Sequence, residues 1–117
     1  MLSKQTTYRQ GLRAEFIARM YLRLRGFRIL HNRYITGRNT NRAEIDIIAK
    51  RGNLIVFVEV KSRPDIHSAC EAVTPHQALR LRAAADTYLM RYGWTGDARF
   101  DVIAVCGWHV SWFKNAI

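Results

Sequence analysis

Apolar residues recur at helical spacing from Tyr8 to Arg25. Leu12, Phe16, Ile17, Met20, Tyr21 and Leu24 fall on one stripe, and Arg9, Arg13, Arg19 and Arg23 fill much of the remainder. The pattern predicts an amphipathic helix that buries the stripe, with Gly26 in the left-handed position past its end. Phe27 to Arg33 is apolar and aromatic enough for a short strand. Thr36 to Arg42 is polar, with two Arg and two Asn. It reads either as a loop that contacts phosphate or as a plain connection.

The clearest pattern follows. Glu44 to Lys50 and Leu54 to Lys61 are both rich in Ile and Val, and Arg51-Gly52-Asn53 separates them. Gly-Asn between two such runs predicts a tight hairpin. Leu54 to Val60 is apolar on both faces, as a central strand must be. Thr74-Pro75 opens a second helix, with Thr as N-cap and Pro at the first helical position. That helix runs to about Tyr92 before Gly93, and Leu79, Ala83, Leu89 and Met90 form its expected buried stripe. Phe100 to Cys106 and His109 to Phe113 read as two last strands. Helix, strand, hairpin, helix and two strands predict one α/β domain with a mixed sheet spanning residues 1–117.

Charge adds a partner to this picture. The chain has 19 basic residues against 9 acidic, a formal charge of +10. Such an excess favours a polyanion, because neutralised phosphates release their counterions, and Arg forks match phosphate oxygens in pairs. An apolar fraction of 49% is enough for a real core. Cys70 and Cys106 are too few for a disulfide scaffold and lack CxxC spacing, so a structural zinc is not expected. With no apolar leader in the first residues and no run long enough to span a bilayer, a cytoplasmic protein off the membrane is expected.

The hairpin also makes a chemical prediction. If Gly52-Asn53 is a two-residue turn, Arg51 pairs with Leu54. Counting back, Asp46 then lies opposite Glu59 and Glu44 opposite Lys61, all four on one face. Directly opposed Cβ atoms are about 4.5–5.5 Å apart. Carboxylates that close repel unless a cation sits between them, and an all-oxygen site suits Mg²⁺ or Mn²⁺. Lys61 beside them completes the requirements of metal-assisted phosphodiester hydrolysis. Glu44 reads as a solvated acid at the strand end, and a register slip of one residue would undo the pairing.

These residues resemble a known family. Gly11, Glu15, Ala18, Tyr21 and Leu22 in the first helix match it, as do Glu44-Ile45-Asp46 and the run from Val56 to Arg63. Ala72-Val73-Thr74-Pro75, Arg80-Leu81 and Arg99 to Ile103 complete the likeness. The pattern is similar to the uncharacterised bacterial YraN-like family, which is assigned to the restriction-endonuclease-like fold and compared with Holliday-junction resolvases. The resemblance implies a mixed sheet flanked by helices. It also implies catalytic residues Asp46, Glu59 and Lys61 in the positions of an Asp…Glu-x-Lys nuclease motif. Glu15 takes the place of the helical acid that often completes the metal shell; the alternative from the residues alone is an i, i+4 partner for Arg19. Two departures stand out: Ala43 where the family often has Gly, and His76 and Gln77 where it often has Arg-Lys.

Arg63, Arg38, Arg42 and Gln77 are the expected nucleic-acid contacts. His31, His67, His76 and His109 lack ligand spacing and read as ordinary histidines. Asp101 reads as structural, and Trp94, Trp108 and Trp112 as packing residues rather than base-stacking ones. Two functions remain open. One is a divalent-metal-dependent, structure-selective DNA endonuclease, acting on branched or flapped DNA or on RNA, for which the resemblance to junction-cutting proteins makes a homodimer one expected arrangement. The other is a non-catalytic module on the same fold that binds nucleic acid or a repair protein.

Overall fold

The computed structural model describes residues 4–36, 43–62 and 74–117. Helix α1 (Lys4–Leu24) is followed by strands β1 (Arg28–Thr36), β2 (Ala43–Arg51) and β3 (Leu54–Ser62). Helix α2 (Pro75–Arg91) then leads to β4 (Asp97–Cys106) and β5 (His109–Phe113). The strands lie in the sheet in chain order. All neighbours are antiparallel except β3 and β4, which run parallel. This is the expected α/β architecture with a mixed sheet, and it is compatible with the restriction-endonuclease-like fold. No helix among the described residues is long and apolar enough to cross a membrane.

The hairpin turn has the expected register, with Arg51 against Leu54 and pairing onward to Ile47 against Val58. Gly52 has φ 58 and Asn53 stays on the ordinary side, the pattern of a II′ turn that needs glycine at its first central position. β3 is the middle strand, with Ile55 to Glu59 all buried. Its alternate residues feed two cores. Val56 and Val58 join Ala14, Ala18 and Leu22 of α1, whereas Ile55 and Phe57 join Leu81, Ala84, Ala85 and Tyr88 of α2.

Both helices are turned partly away from their expected faces: of the expected stripes Ile17 packs on one core and Leu89 on the other, half-buried. α1 buries Ala14, Ala18 and Leu22, while Leu12, Phe16, Met20 and Leu24 stay exposed. α2 buries Leu81, Ala84, Ala85 and Tyr88, while Leu79 and Met90 are exposed. The reason is steric. Alanines let each helix axis approach the sheet closely, and both stripes are as regular as the bulkier ones beside them. α2 begins as expected: the N–H of Gln77 donates to Thr74 Oγ1 at 3.1 Å.

β4 starts three residues earlier than the apolar run suggests, because the N–H of Asp97 donates to the carbonyl of Asn53 at 2.7 Å and seats the strand against the hairpin tip. Gly96 makes that seat. A Cβ there would lie 2.6 Å from the Asn53 carbonyl oxygen and 2.6 Å from Trp94 Cζ2. Gly96→Ala is therefore expected to cost about 1–3 kcal/mol, as overpacking does, read as a lower urea midpoint. An unchanged midpoint would show that the hairpin tip yields freely.

Asp101 is structural, as expected. It is fully buried and accepts from Arg99 Nε and Nη2 (2.8 and 2.9 Å), Trp112 Nε1 (2.8 Å) and the N–H of Asn115 (2.8 Å). Every donor around this carboxylate is matched, which is what lets a charge sit in a core.

Candidate metal and nucleic-acid site

The ladder between β2 and β3 stops at Ile47 and Val58. In the continued register Val60 would donate to the carbonyl of Ile45. Its N–H instead donates to Asp46 Oδ2 at 2.8 Å. β2 turns over here: Ile47 belongs to the α1 core, whereas Ile45 and Ile48 both belong to the α2 core. β1 turns with it. Arg33, which falls opposite Asp46 between the pairs Asn32–Ile47 and Tyr34–Ile45, has φ 56. A left-handed non-glycine residue is strained, and such strain concentrates at functional sites. The local twist takes Asp46 out of simple alternation and brings its carboxylate against β3.

There it meets Glu59. The two carboxylates are within hydrogen-bonding reach of each other. Glu59 is 6% exposed, and its Oε2 receives no hydrogen bond among the described residues. Lys61 Nζ lies 3.5 Å from Glu59 Oε1, with both side chains largely covered. Burial, and then the charge of Asp46, push the Glu59 carboxyl up to about 8. Burial also raises Asp46, against the hydrogen bonds it accepts. Two carboxylates this close must share a proton or a cation.

The pair opens into a cleft of about 400 Å³ lined also by Tyr8, Glu15, Arg33, Glu44, Gln77 and Arg80. Asp46, Glu59, Glu15 and Gln77 thus line one cleft, with Lys61 beside Glu59. Glu15 is engaged differently from either expectation. Its two oxygens accept from Arg33 Nε (3.1 Å) and Nη2 (3.0 Å), not from Arg19. Among the described residues no group of three or more His, Cys, Asp or Glu is gathered tightly enough to hold a metal. Arg38, Arg42 and Arg63 lie outside the described residues.

The cations that line the cleft are Arg33 and Arg80, neither of which the sequence singles out as a site residue. A left-handed residue inside a strand has no local signature, so nothing announces Arg33. Arg80 carries a usable signal: it stands three residues after Gln77, on the same side of a helix whose start is unmistakable. The tryptophans divide. Trp94 and Trp112 pack on the two cores, and Trp108 is exposed.

Comparison with known proteins gives the family. The pattern of a family described as "Uncharacterised protein family UPF0102" matches residues 14–105. A UPF0102 protein of Mesorhizobium japonicum is 44% identical over 108 residues, covering 91% of this chain and 83% of that protein. Another, from Bartonella tribocorum, is 42% identical over 115 residues, covering 96% and 83%. A third, from Paramagnetospirillum magneticum, is 39% identical over 108 residues, covering 91% and 84%. The matched span runs from Ala14 of α1 to Val105 of β4 and so encloses the acidic pair, its lysine and the sheet that holds them. The chain belongs to the UPF0102 family, the YraN-like proteins.

Proposed function

We propose that the protein is a divalent-metal-dependent nucleic-acid phosphodiester hydrolase, with Asp46 and Glu59 as metal-holding residues and Lys61 as the catalytic cation. The observation that carries the reading is the buried contact of two carboxylates, one with an orphaned oxygen, beside a lysine. Buried acids without donors are costly, and fixed structural carboxylates such as Asp101 have theirs matched. Hard oxygen donors in small number suit Mg²⁺ or Mn²⁺, which keep much of their shell as water. Such an ion polarises a phosphoryl oxygen and lowers the pKa of bound water.

The chain's own groups supply the rest. Lys61 places a positive charge beside Glu59, where it offsets charge that develops on the phosphate. Arg80 and Gln77, on the first turns of α2, offer donors to the nucleic-acid backbone at the cleft wall. Arg33 is held in place by Glu15 and is a second anion contact. The net charge of +10 draws a polyanion to the protein as a whole. DNA, branched or flapped, is the expected substrate class, with RNA as the alternative.

The binding-module reading has one observation in its favour: Glu15 is committed to Arg33, and among the described residues no three acids are gathered tightly enough to hold a metal. Incubation with labelled four-way junction, flap, single-stranded and duplex DNA under Mg²⁺, Mn²⁺ or EDTA separates the two. Cleavage that needs the metal and stops with EDTA is expected. Binding without cleavage under every metal, together with no calorimetric Mn²⁺ site, would leave the module.

A further inference from the structure

The outward face of α1 carries a row that neither the fold nor the cleft uses. Leu12, Phe16, Met20 and Leu24 recur every four residues and are 40%, 55%, 40% and 79% exposed. Such an i, i+4 row is the ridge by which one helix packs on another. Arg9, Arg13 and Arg23 are exposed on the same helix, and its one acid, Glu15, is tied to Arg33. Arg13 extends the face onto the β4–β5 turn. It donates to the Gly107 carbonyl at 3.0 Å and lies 4.3 Å above the Trp108 ring, which is 82% exposed.

We infer that this face docks an acidic amphipathic helix of another protein, whose apolar stripe packs on Phe16 and Met20 and whose Asp and Glu flank it to meet the arginines. Charge complementarity selects this occupant. A second copy would bring like-charged guanidinium groups together, and the same repulsion opposes self-association at +10 overall. A duplex would match the arginines but leave Leu12, Met20 and Leu24 idle, because aliphatic side chains offer a phosphate nothing. At about 100° per residue, Arg23, Arg9 and Arg13 fall between the apolar positions of the row. An anionic bilayer takes helices whose apolar and basic faces are segregated, so this interleaving would drag arginines into acyl chains. A single ridge interleaved with cations fits one acidic helix, whose carboxylates reach the guanidinium groups between the apolar contacts. The inference is independent of catalysis in the cleft.

The probe is a fluorescein-labelled helical peptide with a leucine stripe at i, i+3, i+4 and i+7 and glutamate elsewhere, read by anisotropy and by Trp108 emission. The control is a peptide of the same composition in scrambled order. Expected is binding of the striped peptide at least tenfold tighter than the scrambled one. The double variant Phe16→Ser with Met20→Ser is expected to lose at least tenfold in affinity with unchanged melting temperature, since both side chains are exposed. Arg9→Glu with Arg23→Glu should lose as much. Four outcomes overturn the inference: equal binding of the two peptides, displacement of the striped peptide by duplex DNA, binding to phosphatidylglycerol vesicles without binding to the peptide, or a dimer in sedimentation that the serine variant dissolves.

Discussion

Asp46→Asn is expected to abolish metal-dependent cleavage, with kcat/KM falling on the order of 10²–10³-fold or more. The substitution keeps the shape of the side chain and its acceptor for the Val60 N–H, so the strand junction survives. It removes one of the two charges proposed to hold a cation. Calorimetry with Mn²⁺ should show a large loss of affinity, because so few protein carboxylates serve such an ion. Binding to DNA without metal should persist or strengthen, since a charge that repels phosphate has gone. Lys61→Ala behaves differently. Metal binding is expected to be retained and cleavage lost, because in the proposed mechanism the ammonium serves the phosphate and not the ion. The contrast between the two variants is the diagnostic result. Cleavage by Asp46→Asn at the parent's rate would trace the activity to a contaminant and remove the pair from the mechanism.

The second large effect concerns stability in the absence of metal. Glu59 ionises near the ordinary glutamate range when unfolded, and its carboxyl is pushed up to about 8 in the fold by burial and then by Asp46. Between these values the folded state holds a proton that the unfolded state has released. Stability is therefore full below the unfolded value and is lost as pH rises toward 8, with a slope of up to about 1.4 kcal/mol per pH unit for one proton. The loss between pH 5 and pH 8.5 is expected to be on the order of 2–4 kcal/mol, measured by urea unfolding in EDTA. Glu59→Gln cannot ionise and should flatten this profile and unfold later than the parent at pH 8.5. Mn²⁺ should restore the parent at the same pH by binding the folded state alone. A Glu59→Gln profile as steep as the parent's would mean that the pair is not what titrates.

The acidic pair was legible because one turn sets a whole register. Gly52-Asn53 fixes Arg51 against Leu54, and the count from there reaches Asp46 and Glu59 without any knowledge of the rest of the chain. Past Ile47 and Val58 the count no longer follows a ladder, and the contact of Asp46 with β3 comes from the turnover of β2 rather than from strand parity. The helix faces were legible only in part, at Ile17 and Leu89, because hydrophobic size is a poor guide where alanine makes the contact. Ala14 and Ala18 reach the sheet while Phe16 and Met20 do not. The turnover of β1 and β2 at Arg33 and Asp46 was also hidden. It arises from two strands adjusting to two cores, and no residue in Asn32-Arg33-Tyr34 favours the left-handed region enough to announce it. Glu15 illustrates the same limit. Its position beside the cleft follows from the helix, but its partner comes from a strand eighteen residues away.

Because β3 meets β4 in parallel, closing that seam joins residues as distant as Leu54 and Asp97, whereas the other pairings join neighbours in sequence. Distant closure costs the most chain entropy and is the slow event in assembly. The β1–β2–β3 meander can thus form while the outer edge of β3 is still wet. Glu59 pairs across the seam with Val102, so its desolvation is completed only when β4 arrives. The mutual repulsion of the two acids then falls on the native side of the folding barrier. It hastens unfolding and leaves the folding rate nearly untouched. A cation bound by Asp46 and Glu59, as proposed, would act in the reverse sense, as a latch on the seam that lengthens the lifetime of the folded molecule.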